Sequence, residues 1–97
     1  SAQPFTADEA PTWGMVNRVL ASEQLLPQTL ALASQIAANG PIAVRQAKRA
    51  IGSGIETDLK TGLALEIECY NATVGTNDRR EGVAAFNEGR APQFKGY

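Results

Sequence analysis

Thr57-Asp-Leu-Lys-Thr-Gly-Leu-Ala-Leu-Glu-Ile-Glu-Cys-Tyr-Asn-Ala-Thr-Val-Gly75 is the stretch that decides the fold. Leu59, Leu63, Ile67 and Tyr70 recur at i, i+4, i+8 and i+11, which draws one stripe along an α-helix. Thr57 stands where an N-cap is wanted, and Gly75 stands where the helix must stop. Upstream, Pro41 opens a second helix, with Val44, Ala47 and Ile51 on its apolar side and Gly52 and Gly54 near its end. Before that, Leu26, Leu30, Ala33, Ile36 and Ala37 mark another, with Ser22 beginning the segment, Pro27 as its first helical residue and Asn39-Gly40 as its stop. Downstream, Thr76 or Asp78 caps a last helix carrying Val83 and Phe86, which Gly89 terminates. Pro92 bars helix from the tail Arg90–Tyr97. The chain reads as mainly α.

The first 21 residues are different. Thr6 caps a short helix over 7–10, with Asp8 and Glu9 at the positive end of its dipole. Pro11 makes a longer helix costly, because it lacks an amide hydrogen and crowds the preceding turn. After Gly14, Met15-Val16-Asn17-Arg18-Val19-Leu20 reads as a short strand. A lone strand leaves its amides without partners. That orphan strand, and apolar stripes that are narrow and rich in Ala and Gly, suggest a piece of a larger assembly.

Composition narrows the chemistry. The 97 residues hold nine Lys plus Arg, ten Asp plus Glu and no histidine, for a net charge of −1. With 43 % apolar and 20 % charged residues the chain is an ordinary globular sequence of one domain. No apolar run reaches the roughly 20 residues of a membrane span, and the near-neutral balance argues against nucleic acid as a partner. Without histidine there is no Ser-His-Asp or Cys-His system and no HExxH zinc helix, and a single cysteine builds no disulfide or multi-cysteine metal site. Cys69 alone points to a reducing cytoplasm. Ser1 in place of a methionine suggests a chain processed, trimmed or cut from something longer.

Each candidate site has a plain structural reading beside it. Arg45, Lys48 and Arg49 share a helix face and suit a phosphate, but also suit a solvated face paired with Glu56, Asp58, Glu66 and Glu68; the second reading is preferred. Glu66 and Glu68, at i and i+2, point about 200° apart and cannot act on one substrate atom. A local hydrogen bond from Tyr70 to Glu66 is expected instead. Cys69 reads as a small buried hydrophobe, and Lys60 has polar neighbours rather than the desolvated pocket of a Schiff-base lysine. No glycine spacing matches a phosphate loop, so no catalytic residue and no metal ligand is assigned.

Three stretches together resemble a known family: Pro4-Phe-Thr-Ala-Asp-Glu-Ala-Pro-Thr-Trp-Gly-Met-Val-Asn-Arg-Val19, Gly40-Pro-Ile-Ala-Val-Arg-Gln-Ala-Lys-Arg-Ala-Ile51, and Thr76-Asn-Asp-Arg-Arg-Glu-Gly-Val-Ala-Ala-Phe-Asn-Glu-Gly-Arg-Ala-Pro-Gln-Phe-Lys-Gly96. The last is similar to the C-terminal signature of the crotonase family, with Asp, Glu-Gly, Ala-Phe, Arg-x-Pro and Phe at matching intervals. Within the family the chain looks closest to the enoyl-CoA hydratases, including the branched-chain methylglutaconyl-CoA type.

The resemblance implies more than the residues show. It implies the C-terminal helical part of a crotonase fold, residues 1–21 closing an N-terminal spiral domain and residues 22–97 forming an oligomerisation region that builds trimers or dimers of trimers. It implies a parent lyase of fatty-acid or branched-chain amino-acid catabolism that adds water to a 2-enoyl-CoA, with an oxyanion hole and two glutamates in the preceding domain. Glu9, Glu66, Glu68 and Glu81 do not match those glutamates. No prosthetic group is implied, and coenzyme A enters as part of the acyl-CoA substrate. Phe86 matches the family aromatic that meets the adenine. Some hydratases place a phosphate-binding lysine three residues later, where this chain has Gly89; Arg90 or Lys95 is the expected replacement. Pro11 is a second departure, expected to distort the link to Trp13. A non-catalytic helical oligomerisation module is the alternative.

Overall fold

The computed structural model describes residues 2–97. In chain order they form a 3₁₀ helix, Ala7–Trp13, and four α-helices: α1 Ser22–Ala37, α2 Pro41–Gly54, α3 Leu59–Val74 and α4 Asn77–Glu88. The described residues fall into two units, divided between Leu32 and Ala33.

In the first unit, Glu9 reaches back to the start of its own helix and accepts from the Thr6 backbone N–H at 2.7 Å and the Thr6 hydroxyl at 2.9 Å. These bonds hold the Glu9 carboxyl below the usual carboxylate range, the backbone donor contributing most. Pro11 does not end the helix as expected. The tighter 3₁₀ winding runs through it to Trp13, and Gly14, at φ 70°, closes the turn by donating to the Ala10 and Pro11 carbonyls. Trp13 meets Phe5 edge-on, ring centroids 5.1 Å apart. The strand expected over residues 15–20 does not form; the segment is irregular, because no described residue offers it a partner edge. The other proline also departs from expectation. α1 starts at Ser22, so Pro27 lies inside it, with one intrahelical hydrogen bond forgone.

The second unit is built on the pairing of α2 with α3. Pro41 is the first residue of α2, where its missing N–H costs nothing. Asp58, rather than Thr57, caps α3, accepting from the Lys60 and Thr61 backbone N–H groups; the Thr57 hydroxyl instead donates to the Gly54 carbonyl. The best-covered positions of α3 are Gly62, Leu65, Cys69 and Thr73, with Cys69 only 2 % exposed. The large residues of the sequence stripe stay open: Leu59, Leu63, Ile67 and Tyr70 are all at least half exposed. On α2 the same holds. Gln46, Ala50 and Gly54 are half-buried, while Ile51 faces solvent. Gly54, Ala50, Gly62 and Cys69 are small, which lets the two backbones approach, and Gln46 and Leu65 are covered with them while the stripe's large residues flank the contact. A Cβ on Gly62 would lie 3.4 Å from the Thr57 hydroxyl and 3.5 Å from the Gly54 carbonyl.

Candidate functional site

The last helix and the tail carry most of the nonlocal polar bonding. Thr76 caps α4, its hydroxyl accepting from the Arg79 backbone N–H at 3.1 Å. That leaves Asp78, the other expected cap, for a different task. It is buried, and its two carboxylate oxygens accept from the Lys95 and Gly96 backbone N–H groups, each at 2.7 Å. The Tyr97 main-chain oxygen in turn accepts from the Asn77 and Asp78 backbone N–H groups. The first turn of α4 is thereby tied to the tail in both directions. A buried carboxylate is expensive without partners, and here two amide donors and the positive end of the helix dipole offset the cost.

One turn further on, Glu81 does the same for the middle of the tail. Its oxygens receive both terminal nitrogens of Arg90, at 2.6 and 3.0 Å, and the Gln93 backbone N–H at 2.7 Å. Arg90 Nε donates separately to Glu88. The Arg90 bonds foremost, then the Gln93 amide, pull the Glu81 carboxyl down to about 2, and the paired acids push Arg90 above its ordinary value. Phe94 lies between these two anchor points in sequence, and its ring covers α4: a Cβ on Gly82 would sit 3.5 Å from Phe94 Cε1.

Two concavities flank this arrangement, each of about 400 Å³. Apolar residues dominate one, where Ile42, Ala43, Val83, Phe86 and Phe94 line the walls beside Arg79. Polar residues line the other, among them Arg90, Lys95, Gln93 and Tyr97, and Asp78 borders both. Phe86 is 86 % exposed. Lys95 is exposed and enters no ion pair among the described residues, whereas Arg90 is bound to two carboxylates. Of the three residues singled out from sequence, then, Arg90 and Lys95 share one concavity and Phe86 lines its neighbour. Gly89 is the C-cap of α4 at φ 67°, a conformation in which a lysine would be strained.

Other expectations resolve locally. Arg49 donates to Glu68 at 2.8 Å, in keeping with a solvated, acid-paired face on α2. Tyr70 does not reach Glu66; its hydroxyl accepts from Arg79 at 3.3 Å, and the Arg79 guanidinium stands 5.9 Å from the Tyr70 ring centre. Arg79 wins because it brings a charge and a cation–π contact. Cys69 is a free, buried thiol. Asp78 and Glu81 are the residues that sequence reasoning undervalued: neither the carboxylate cap nor the lone glutamate signalled a bond to a tail more than ten residues away.

The sequence matches the model of the enoyl-CoA hydratase/isomerase family over residues 1–97. The chain belongs to that family. A Bacillus subtilis protein named for the same family is 55 % identical over 91 residues, covering 94 % of this chain and 35 % of its own length. Human mitochondrial methylglutaconyl-CoA hydratase is 43 % identical over 100 residues, 99 % of this chain and 30 % of that protein. The crystal structure of an enoyl-CoA hydratase from Bacillus anthracis superposes with a TM-score of 0.91 at 46 % identity, over 94 % of this chain and 35 % of that one. The chain thus spans about a third of the length of the relatives it matches, and its helices are a region of the crotonase fold. Within the family signature of this chain, Asp78, Glu81, Gly82, Arg90 and Phe94 are the residues that fasten the tail to α4.

Proposed function

We propose that this chain is the coenzyme A-binding and oligomer-forming C-terminal part of an enoyl-CoA hydratase, a lyase that adds water to 2-enoyl-CoA thioesters. The observation that carries the reading is Phe86, a large aromatic left 86 % exposed on the rim of an apolar groove, next to a polar concavity lined by Lys95 and Arg90. The adenine of coenzyme A stacks on such a ring, and its phosphates want cations. Lys95 is the better placed of the two cations, since it has no carboxylate to give up; Arg90 contributes from within its ion pairs. No prosthetic group is needed: coenzyme A arrives with the acyl substrate.

Oligomer contacts belong to the same proposal. Between α2 and α3 runs an open groove of about 820 Å³, edged by Ile51, Ile55, Leu59 and Leu63. An apolar surface of this kind supports packing against further copies, as a trimer or a dimer of trimers. Residues 22–97 form this region, and residues 1–21 close the preceding domain. No described helix is long and apolar enough to cross a membrane. The unpaired Cys69 thiol favours the cytoplasm.

The test is kinetic. In the complete enzyme, Phe86→Ala raises KM for crotonyl-CoA more than it lowers kcat, because a contact remote from the thioester holds substrate and transition state about equally. An unchanged KM with normal folding would reject the adenine contact. The isolated chain, in the same ultraviolet assay for loss of the conjugated thioester, gives no turnover. Glu66 and Glu68, at i and i+2 on α3, point about 200° apart and cannot act on one substrate atom, and the family's two glutamates are expected in the preceding domain.

A further inference from the structure

The tail from Ala91 to Tyr97 has no helix or strand, yet Phe94 is not loose. It is bracketed. The residue before it gives its backbone N–H to Glu81, and the residue after it gives its backbone N–H to Asp78. Asp78 holds the next amide as well, that of Gly96, while a Cβ on Gly96 would rest 3.5 Å from the Pro41 ring. Asp78 enters no ion pair among the described residues, so its charge is committed to main-chain amides. Bonds from amides to a carboxylate are about twice as strong as neutral ones. They also point one way only: amide hydrogens at 95 and 96 need acceptors, and the two Asp78 oxygens supply one each.

We propose that Asp78 is a positioning residue for the nucleotide end of the ligand. By clamping residues 95 and 96 it keeps Phe94 against Gly82 and Gly40, where the ring forms a wall of the groove that Phe86 also lines. The same clamp fixes the backbone from which the Lys95 side chain extends. Glu81 cannot replace it, since Glu81 acts upstream of Phe94 and shares its oxygens with Arg90. The inference rests on the reading of Phe86 and Lys95 given above, and it adds a residue that touches no ligand itself.

Coenzyme A is the probe, titrated by calorimetry into the intact protein and its variants. Asp78→Asn presents a second donor to one of two donor amides, and weakens binding about tenfold, a loss of about 1.4 kcal/mol. Hydrogen exchange at the Lys95 and Gly96 amides speeds up in the same variant, while far-ultraviolet helicity stays. Asp78→Glu keeps both acceptors and recovers most of the affinity, which a general loss of packing would not allow. Wild-type affinity in an Asp78→Asn protein whose Lys95 and Gly96 amides exchange freely overturns the proposal. Should Asp78→Asn not fold, Phe94→Ala decides on the same criterion: weakened binding supports the clamp, and wild-type affinity overturns it. Phe86→Ala separates the two readings. If it binds normally while Asp78→Asn does not, the adenine contact at Phe86 fails and the clamp stands; if the wild type does not bind coenzyme A at all, both fall.

Discussion

The α2–α3 pair and the α4–tail pair are held by opposite means. Between α2 and α3 the contact is made by small side chains, Gly54, Ala50, Gly62 and Cys69, with one exposed ion pair, Arg49–Glu68, across the outside. Between α4 and the tail it is made by two carboxylates and the backbone N–H groups they accept, with a single ring laid over a glycine. The difference follows from what each partner offers. A helix satisfies its own backbone and has only side chains to pack, so small residues let two helices close up. An irregular tail arrives with unpaired amides, and those must be met by acceptors before any burial is favourable. The first region is therefore sensitive to volume and the second to charge.

That contrast can be broken on either side, and the largest effect is expected in the hairpin. Cys69→Leu forces extra carbons into the covered α2–α3 contact and destabilises the unit by about 2 kcal/mol, read from the denaturant midpoint. A stability equal to wild type would mean that the groove relaxes around the added volume and that small size is not what the contact requires. A smaller loss, about 1 kcal/mol, is expected for Gly89→Ala at the C-cap of α4, where φ is 67°. It falls on the second region, so exchange of the Arg90 amide, bonded to the Ala85 carbonyl, should rise while the α2 and α3 amides keep their protection.

The smallest effect is a titration. Glu81 is lowered from 4.5 to about 2 in the folded chain, chiefly by the Arg90 hydrogen bonds, then by the Gln93 amide. Its stabilising contribution is therefore complete above pH 4.5 and lost as pH falls from 4.5 through about 2. The Gln93 amide resonance should titrate with that low midpoint, and Glu81→Gln should abolish the step. A midpoint at the ordinary carboxylate value would show that the bracket around Phe94 is weaker than its bond lengths indicate.

What could be read from the residues themselves was periodic or positional. The stops at Asn39-Gly40, Gly75 and Gly89, the opening Pro41 and the 3.6-residue stripes placed α2, α3 and α4, because capping and φ preferences act within one turn of the chain. Burial of Cys69 was legible for the same reason, as a small residue beside an apolar stripe. The mainly α class and the family resemblance were legible too. Periodicity could not say which edge of each stripe would be covered, since a stripe names a face, and closeness of approach then picks the smallest residues on it. Nor could it rule out a strand over residues 15–20, where Val16 and Val19 suit one but whose pairing needs a second edge. The winding of the 3₁₀ helix through Pro11 and the inclusion of Pro27 within α1 were geometric outcomes of the same kind. Above all, only the folded chain showed that Asp78 and Glu81 hold the tail: a carboxylate on a helix and an amide more than ten residues away have no local signal in common, and their bond exists because the chain turns back on itself at Gly89.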